Sequence, residues 1–324
     1  MKREMRKTVL FACVVLVLIV VMLYSGLQIL KSAVLFTDGN EGHRQTKTIT
    51  REGIRYFPRQ DITVVLVMGI DQFGKVLPSE PNKAGGVDMI SLLIFDEKDQ
   101  KMRILSLNRD TMMDIRALNE NGRPVGSFVG QLTYSHMYGT GMEDSCENTR
   151  KAVSDFLYGI RIDYYLSMNM DAISIMNDAV GGVTVQVTED FSDVDVSIPQ
   201  GEVTLLGDQA ITFVRSRKGL GDQLNASRME RQKRYMDAFL KAVRRKTEVN
   251  DTFALKLYSE VQPYLVTDIS ANVFSNLFQH YSDYTMEDIY IPEGKNILGE
   301  EFMEFYVDEE KMDRLILQLF YAPK

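Results

Sequence analysis

The stretch ITVVLVMGI, residues 62–70, is a continuous apolar run rich in β-branched side chains. Runs of this kind are typical of a strand that is covered on both faces of a sheet. DMISLLIFD (88–96) and KMRILSLN (101–108) repeat the pattern, and the polar connection EKDQ between them is short enough for an antiparallel hairpin. Together these segments predict the centre of a buried sheet.

Helical and extended patterns alternate in the chain that follows. Residues 145–159 predict a helix with a cap at Asp144 or Ser145 and a stop at Gly159, and residues 226–246 predict a long helix. The other patterned segments are a strand (164–169), a helix with a glycine stop (171–182) and two strands (183–187 and 211–217). The alternation indicates an α/β domain with helices on both faces of its sheet. The methionine-rich helices are interpreted as core.

The N-terminus predicts an export signal and membrane anchor. Residues 8–30 carry no charge and, at about 1.5 Å per residue, are long enough to cross a bilayer. Because residues 1–7 contain four basic residues and one acidic residue, they are predicted to be a cytoplasmic tail. A cleaved signal peptide is the alternative, but no clear cleavage site follows the apolar run. Residues 31–60 are interpreted as a stalk and 61–324 as an extracellular catalytic domain.

The composition is that of a globular domain, with 324 residues, 45% hydrophobic, 25% charged and a formal net charge of -8. A chain of this size can bury a full core. Its acidic balance argues against nucleic acid as a partner, because binding to a phosphate backbone requires a broad basic face. Cys13 lies in the predicted span and Cys146 is the only other cysteine, so no disulfide can join two cysteines of the exported domain.

Several common catalytic chemistries lack their parts. The three histidines are far apart and have no cysteine partners, which disfavours a zinc site. The sequence has no G-x-S-x-G motif for a serine hydrolase. His136 is interpreted as a structural hydrogen bonder rather than a catalytic group.

The segment GIDQFGKV, residues 69–76, has most of a nucleotide-binding loop. Val76 stands where serine or threonine would be required, and Pro78 and Pro81 exclude the helix that would follow. The similarity is therefore interpreted as chance.

The segment FVRSRKGLGDQLNASRMERQ, residues 213–232, concentrates four arginines and a lysine in an acidic chain. On the predicted strand, Arg215 and Arg217 share a face that becomes cationic at its C-terminal end. Ligands of open α/β sheets lie at that end. Arginine forks bind phosphate oxygens in pairs, so these residues predict a site for a multiply charged phosphate ligand.

The helix that follows contributes to the same cluster. Its predicted buried stripe consists of Met229, Met236, Phe239, Leu240 and Val243. Gln232 falls within this stripe, Arg228 lies at its edge, and Arg231 is predicted to point away. A surface salt-bridge network with Asp222 and Glu230 is the alternative, but convergence from two elements favours a ligand site.

Two aspartates are candidates for a metal. Asp71 ends the first predicted strand and Asp88 begins the second, while Arg109 follows the apolar residues Leu105 and Leu107 on one strand face. Carboxylates beside a phosphate site are ligands of the kind that magnesium takes. Turn and capping chemistry is the alternative for either aspartate alone.

A set of motifs in order carries a family resemblance. The motifs are VMGID (67–71), GGVDMISLLIFD (85–96), LSLNRDT (105–111), LTYSHMYG (132–139), AVGGV (179–183), GEVTLLGDQAITFVRSR (201–217), GD (221–222) and SRMERQ (227–232). They resemble the LytR-CpsA-Psr family of bacterial envelope glycopolymer ligases, most strongly over residues 60–245. The resemblance implies a three-layer α-β-α sandwich around a mixed central sheet and an apolar tunnel for the tail of a polyprenyl pyrophosphate.

The resemblance also implies roles for individual residues. The catalytic candidates are Arg109, Arg215, Arg217 and Asp222, the substrate-binding candidates are Arg228, Gln232 and Gln131, and the candidates to hold Mg²⁺ or Mn²⁺ are Asp71 and Asp88. Two positions depart from the family. Gln131 stands where many members carry lysine, and the spacing between Asp222 and Arg228 is longer than is common.

The implied activity is transfer of a phosphoglycan, such as teichoic acid or capsule, from a polyprenyl-pyrophosphate carrier to peptidoglycan at the cell membrane. Hydrolysis of the same carrier by water is one alternative, and a non-catalytic surface protein that binds the lipid-linked glycan is another. A transcriptional role conflicts with the export signal and the acidic charge.

Overall fold

The computed structural model describes residues 48–216, 220, 225–250, 253–269, 273, 277, 280, 281, 284–300 and 302–323. The predicted tail (1–7), the predicted transmembrane helix (8–30) and residues 31–47 of the predicted stalk lie outside the described residues. Among the helices that the structure describes, none is both long enough and apolar enough to cross a membrane.

Strands and short hairpins make up much of the described chain. The strands are β1 (Ile49–Arg51), β2 (Ile54–Pro58), β3 (Ile62–Ile70), β4 (Val87–Asp96), β5 (Lys101–Leu107), β6 (Met112–Leu118), β7 (Pro124–Gln131), β8 (Tyr164–Asn169), β9 (Val183–Val187), β10 (Gly201–Leu205), β11 (Leu265–Thr267), β12 (Thr285–Tyr290), β13 (Gly294–Leu298), β14 (Met303–Val307) and β15 (Tyr321–Pro323). The helices are α1 (Tyr134–Met137), α2 (Glu143–Phe156), α3 (Met170–Ala179), α4 (Gln209–Arg215), α5 (Asn225–Val249), α6 (Phe253–Val261) and α7 (Glu309–Phe320).

The centre of the domain is a mixed six-stranded sheet in the order β11-β8-β3-β4-β5-β12. Strands β3, β4 and β5 are antiparallel neighbours, whereas β8 runs parallel to β3 and β12 parallel to β5. The predicted α/β fold around a mixed sheet is confirmed, as is the hairpin between β4 and β5.

Both faces of this sheet are buried. Val65 and Val67 of β3 pack in one apolar cluster with α3, α4, α5 and α6, while Val64 and Leu66 pack in a second cluster with α2 and α7. Successive side chains of a strand point to opposite faces, so a strand buried on both sides is apolar throughout. This explains the uninterrupted run at 62–70.

Residues 49–58, which the sequence assigned to the stalk, belong to the folded domain. They form β1 and β2, which make a three-stranded antiparallel sheet with β15. Tyr56 pairs with Ile49 on one side and with Pro323, near the other end of the described chain, on the other. A partner so distant in sequence leaves no local signal.

The strand predicted at 211–217 is wrong. Residues Gln209–Arg215 form helix α4, with Ala210, Ile211, Phe213 and Val214 buried. Burial of neighbours at spacings of one, three and four residues suits a helix that packs in the first cluster. The β-branched residues therefore follow their packing rather than their intrinsic preference.

A buried carboxylate at the end of β4 is shared by an arginine of the β2–β3 connection and an arginine of β5. Asp96, at the end of β4, is 0% exposed and accepts hydrogen bonds from Arg59 Nη1 (2.6 Å) and Nη2 (2.7 Å) and from Arg103 Nη1. Burial alone would raise the pKa of Asp96, but the hydrogen bonds from Arg59 and Arg103 outweigh it and hold that pKa well below its usual range.

Replacement of Asp96 by asparagine is expected to lower the free energy of unfolding by about 2–3 kcal/mol, because it leaves two partly buried arginines without their shared counter-charge. Urea denaturation of the full chain measures this change. Glu287→Gln is the matched control, since Glu287 pairs with Arg103 and Lys101 from a more exposed position, and its loss should stay below about 1 kcal/mol. Equal losses in the two variants would contradict the assignment.

Candidate functional site

A pocket of about 820 Å³, counting space open to solvent, lies on the first-cluster side of the central sheet. Its apolar lining comes from β4, β8, α3, α4 and α5, and consists of Met89, Met168, Met170, Ile173, Met176, Val214, Tyr235, Met236 and Phe239. Its polar lining consists of Asp88, Asn169, Arg215, Arg228 and Gln232. The pocket thus suits a ligand with an apolar body and an anionic head.

Asp88 reaches this pocket through a β-bulge. Gly69 pairs with Met89 and Ile70 pairs with Val87, so Asp88 is an extra residue in β4. Regular alternation would place Asp88 on the face of Ile90, which is buried in the second cluster. The bulge turns the carboxylate to the other face.

Asp88 is paired with two of the predicted arginines. Arg109 Nη1 forms an ion pair with Asp88 Oδ1, and Arg228 Nη1 lies 3.8 Å from the same oxygen. Arg228 Nη2 also donates to the main-chain oxygen of Asp88 at 3.3 Å. Asp88 and Arg228 are both buried, and their pairing avoids the large cost of an isolated charge in an apolar surrounding.

Asp71 is paired with Arg215, the third of the predicted arginines that the structure describes. Arg215 Nη2 lies 2.6 Å from Asp71 Oδ1, and the side chains are 44% and 34% exposed. The guanidinium carbon of Arg215 lies 5.6 Å from the ring centroid of Phe73. Because an ion pair this exposed contributes little stability, a phosphate can replace the aspartate at small cost.

The two glutamines have different partners. Gln232 lines the pocket and its Nε2 donates to the main-chain oxygen of Val214 at 3.2 Å. Gln131 is buried, and its Nε2 donates to the main-chain oxygen of Met303 at 2.8 Å and lies 3.5 Å from Asp110 Oδ1. Asp110 Oδ1 lies 3.4 Å from Arg109 Nε, so Gln131 joins the site through Asp110.

The structure therefore brings together most of the predicted site. The group that we call the charged cluster consists of Asp71, Asp88, Arg109, Asp110, Arg215 and Arg228. Gln232 and Gln131 adjoin it. Arg217 and Asp222 lie outside the described residues.

The prediction that Arg231 points away from the core is wrong. Arg231 is 1% exposed, and its Nε donates to the main-chain oxygen of Phe213 at 3.1 Å. The buried side of α5 is rotated from the predicted stripe toward Arg228, Arg231 and Tyr235. Hydrophobic periodicity could not find this face, because two of its members are arginines.

The methionines also have a role that composition concealed. Met89, Met168, Met170, Met176 and Met236 line the pocket rather than only filling the core. Methionine is unbranched and polarizable, so such a lining adapts to irregular apolar shapes. The sequence offered no signal that separates pocket methionines from core methionines.

Two further motifs keep their structural interpretation. No helix follows Gly74 in the described loop between β3 and β4, and the amide of Gly74 donates to Asp171 Oδ2 at 2.5 Å. His136 is buried, and its Nδ1 lies 2.9 Å from the main-chain oxygen of Gly85. Burial lowers the pKa of His136 to about 4, partly offset by this hydrogen bond.

The charged cluster fits a divalent cation in part. No group of three or more His, Cys, Asp or Glu residues that could hold a metal occurs in the described part of the chain. Magnesium is commonly held by only one or two carboxylates, with waters and substrate phosphates as its other ligands. Asp71 and Asp88 are carboxylates of the kind this second arrangement uses, and each is paired here with an arginine.

The fold and the site define a mixed α/β domain with an apolar pocket beside an arginine–aspartate cluster. Residues 23–319 match the model of the LytR_cpsA_psr family, and the chain belongs to that family.

Comparison with individual proteins gives two relatives by sequence and one similar solved structure. The chain is 31% identical over 188 residues to "Polyisoprenyl-teichoic acid--peptidoglycan teichoic acid transferase TagU" of Halalkalibacterium halodurans, covering 56% of this chain and 53% of that protein. It is 28% identical over 258 residues to the protein of the same name in Bacillus cereus, covering 76% of this chain and 73% of that protein. The crystal structure of Bacillus subtilis TagV superposes with a TM-score of 0.60 at 23% identity, covering 81% of this chain and 96% of that one. The last likeness supports the fold.

Replacement of His136 by asparagine is expected to flatten the pH dependence of stability. The pKa of His136 in the folded chain, about 4, is below the ordinary value of 6.5, so the unfolded chain binds the proton more readily. Stability from this group is complete above about pH 6.5 and falls by about 2–3 kcal/mol by pH 4.5. Urea unfolding of both chains at pH 7.5 and pH 4.5 measures the effect, and an equal loss in the two chains would contradict it.

Proposed function

We propose that this protein transfers a phosphoglycan from a polyprenyl-pyrophosphate carrier to peptidoglycan, attaching a teichoic-acid-like or capsular polymer. The observation that carries the proposal is the junction of an apolar, methionine-lined pocket with three arginines held by aspartates. The names of the TagU relatives supply the substrate class.

The carrier would divide between the two parts of the site. Its apolar chain enters the pocket, where burial contributes about 25 cal/mol for each Å² removed from water. Its pyrophosphate meets Arg109, Arg215 and Arg228, whose planar forks bind phosphate oxygens in pairs. We include Arg217 and Asp222 in this set on the strength of the motifs alone.

Asp71 and Asp88 are the residues that would hold Mg²⁺, with Mn²⁺ as the alternative. The ion would supply neutralisation of the charge that develops on the phosphates. Ligand binding then requires exchange of partners within the charged cluster, because Arg215 is paired with Asp71 and Arg109 with Asp88.

The transfer is a phosphoryl substitution. A hydroxyl of the peptidoglycan acceptor attacks the phosphorus on the glycan side, and a new oxygen–phosphorus bond forms. The bond from that phosphorus to the bridging oxygen breaks, polyprenyl phosphate leaves and the hydroxyl proton is released. The arginines stabilise the negative charge on both phosphates, and positioning with charge stabilisation is sufficient for this reaction class.

The proposed setting is the outer face of the cell membrane. Residues 8–30 would anchor the chain in a single pass, with residues 1–7 in the cytoplasm and the catalytic domain outside. In this arrangement the site would lie beside a lipid-linked donor and the cell wall.

Arg215→Ala is expected to lower the transfer rate by about 100-fold, because it removes a phosphate-binding fork. The full chain in detergent is incubated with a polyprenyl-pyrophosphate oligosaccharide, magnesium and peptidoglycan fragments, and products are followed by mass spectrometry. The expected product is a muropeptide carrying a phosphosugar, lost on chelation. The matched control is Arg51→Ala, since Arg51 forms a similarly exposed pair with Asp313.

The other products separate the alternatives. Free glycan phosphate formed without acceptor would identify a hydrolase. Lipid retained without turnover would identify a binding protein. Full activity of Arg215→Ala would overturn the assignment of the site.

Ile173→Trp tests the pocket independently of the charged cluster. Ile173 lines the pocket from α3, and the larger side chain should lower affinity for a long-chain prenyl pyrophosphate by about tenfold by occupying the space of the tail. Affinity for inorganic pyrophosphate should not change. Calorimetric titration with both ligands measures this, and equal affinity for the prenyl ligand in the two chains would argue against the pocket as the tail site.

A further inference from the structure

Arg231 has the largest side chain among the fully buried ones in the described part of the chain. A buried guanidinium is costly unless its donors are satisfied, so its retention calls for a specific set of partners. The mechanism proposed above does not use Arg231, because it lines no part of the pocket.

Its partners are the carbonyls at the end of α4. Arg231 Nε donates to the main-chain oxygen of Phe213 at 3.1 Å, and Nη2 donates to the main-chain oxygen of Ser216. The last carbonyls of a helix have no partner within the helix, and a cation is favoured there. Gln232 Nε2 donates to the oxygen of Val214 at 3.2 Å, so two neighbouring side chains of α5 fix the residues on both sides of Arg215.

A second set of contacts fixes Arg231 itself. Its Nη1 lies 3.8 Å from Glu189 Oε1, and its guanidinium carbon lies 5.9 Å from the ring centroid of Phe191. Glu189 also pairs with Arg234 at 2.5 Å. Arg231, which holds the end of α4 from α5, is therefore also fixed by contacts with the segment that follows β9.

We propose that Arg231 is a positioning residue of the pyrophosphate site, which holds the end of α4 so that Arg215 faces Asp71 and the pocket. This inference rests on the function proposed above. Arginine is required because its planar fork donates to two carbonyls at once, whereas lysine carries a single ammonium.

Arg234 provides a matched control. It lies on the same helix, pairs with the same Glu189, and its guanidinium carbon lies 5.9 Å from the ring of Phe213. Its guanidinium donates hydrogen bonds to the side chains of Thr188 and Glu189 rather than to the carbonyls of α4. Loss of Arg234 thus tests charge and packing in the same region without release of α4.

The test compares two probes on the full chain in detergent, geranylgeranyl pyrophosphate and the uncharged alcohol geranylgeraniol, by calorimetric titration. Arg231→Lys is expected to weaken binding of the pyrophosphate by about tenfold. The reason is that a misplaced Arg215 would lose charge-assisted hydrogen bonds to the phosphates. Binding of the alcohol should be unchanged, whereas a distorted pocket would weaken both. Arg234→Lys should leave both affinities unchanged.

A double variant separates this inference from the proposed function. If Arg231 acts through Arg215, adding Arg231→Lys to Arg215→Ala should cause little further loss of pyrophosphate binding. If Arg215→Ala alone binds pyrophosphate normally, the proposed function fails. If Arg215→Ala weakens binding but Arg231→Lys does not, or if the two losses are additive, the positioning role is overturned.

Glu189→Gln replaces Arg231→Lys if that variant does not fold. This change removes the charge that faces Arg231 but keeps the hydrogen bonds from Arg231 to α4. It is expected to weaken pyrophosphate binding by about two- to threefold. Unchanged affinity for the pyrophosphate in a folded Glu189→Gln chain would overturn the inference.

Discussion

Charge pairing beside an apolar pocket is the constraint on which the site depends. Its buried members Asp88 and Arg228 cannot be left without a counter-charge, because desolvation of a lone ion costs several kcal/mol. The charged cluster meets this condition with three arginines against three aspartates, at Asp71, Asp88 and Asp110. The described members of the cluster are balanced in charge, so an anionic head would give the cluster a net negative charge, which the divalent cation proposed above would offset. The pairing and the proposed metal dependence thus have one physical origin.

Regular structure positions this cluster, but local irregularities aim its side chains. Strand β4 places Asp88 near the pocket, and only the bulge between β3 and β4 turns the carboxylate away from the second apolar cluster. Helix α4 is short and ends at Arg215, so the direction of that arginine depends on contacts beyond its own helix. Arg231 supplies those contacts from α5. The bulge at Asp88 interrupts regular hydrogen bonding between strands, and Arg231 buries a charge. Both costs are tolerable because the central sheet around them is buried on both faces.

Much of the sheet could be predicted from sequence because both of its faces are apolar, which makes β3, β4 and β5 continuous hydrophobic runs. The grouping of Arg215 with Arg109 and Arg228 could be predicted although the strand predicted for Arg215 is wrong, because Arg215 ends an apolar segment in either form. The helix at α4 could not, since its β-branched residues favour a strand and only packing decides otherwise. The burial of Arg231 and the bulge at Asp88 depend on partners distant in sequence, and the pairing of β2 with β15 spans nearly the whole described chain. Local patterns carry no trace of such contacts.

The division of the site between methionines and arginines has a consequence for catalysis. If the ligand is a polyprenyl pyrophosphate, the pocket supplies binding energy that is the same before and after the reaction, because the tail does not change. A lining of methionines also accepts many tail conformations, so it discriminates weakly among lipids. Interactions that accelerate a reaction must be stronger in the transition state than in the ground state. Only the charged cluster can meet that requirement, because charge moves from one phosphate to the other during transfer. Arg215 would suit this role, because its pair with Asp71 is exposed and exchangeable and its attraction to the phosphates would grow with the developing charge, while the buried set around Asp88 would hold the head in place.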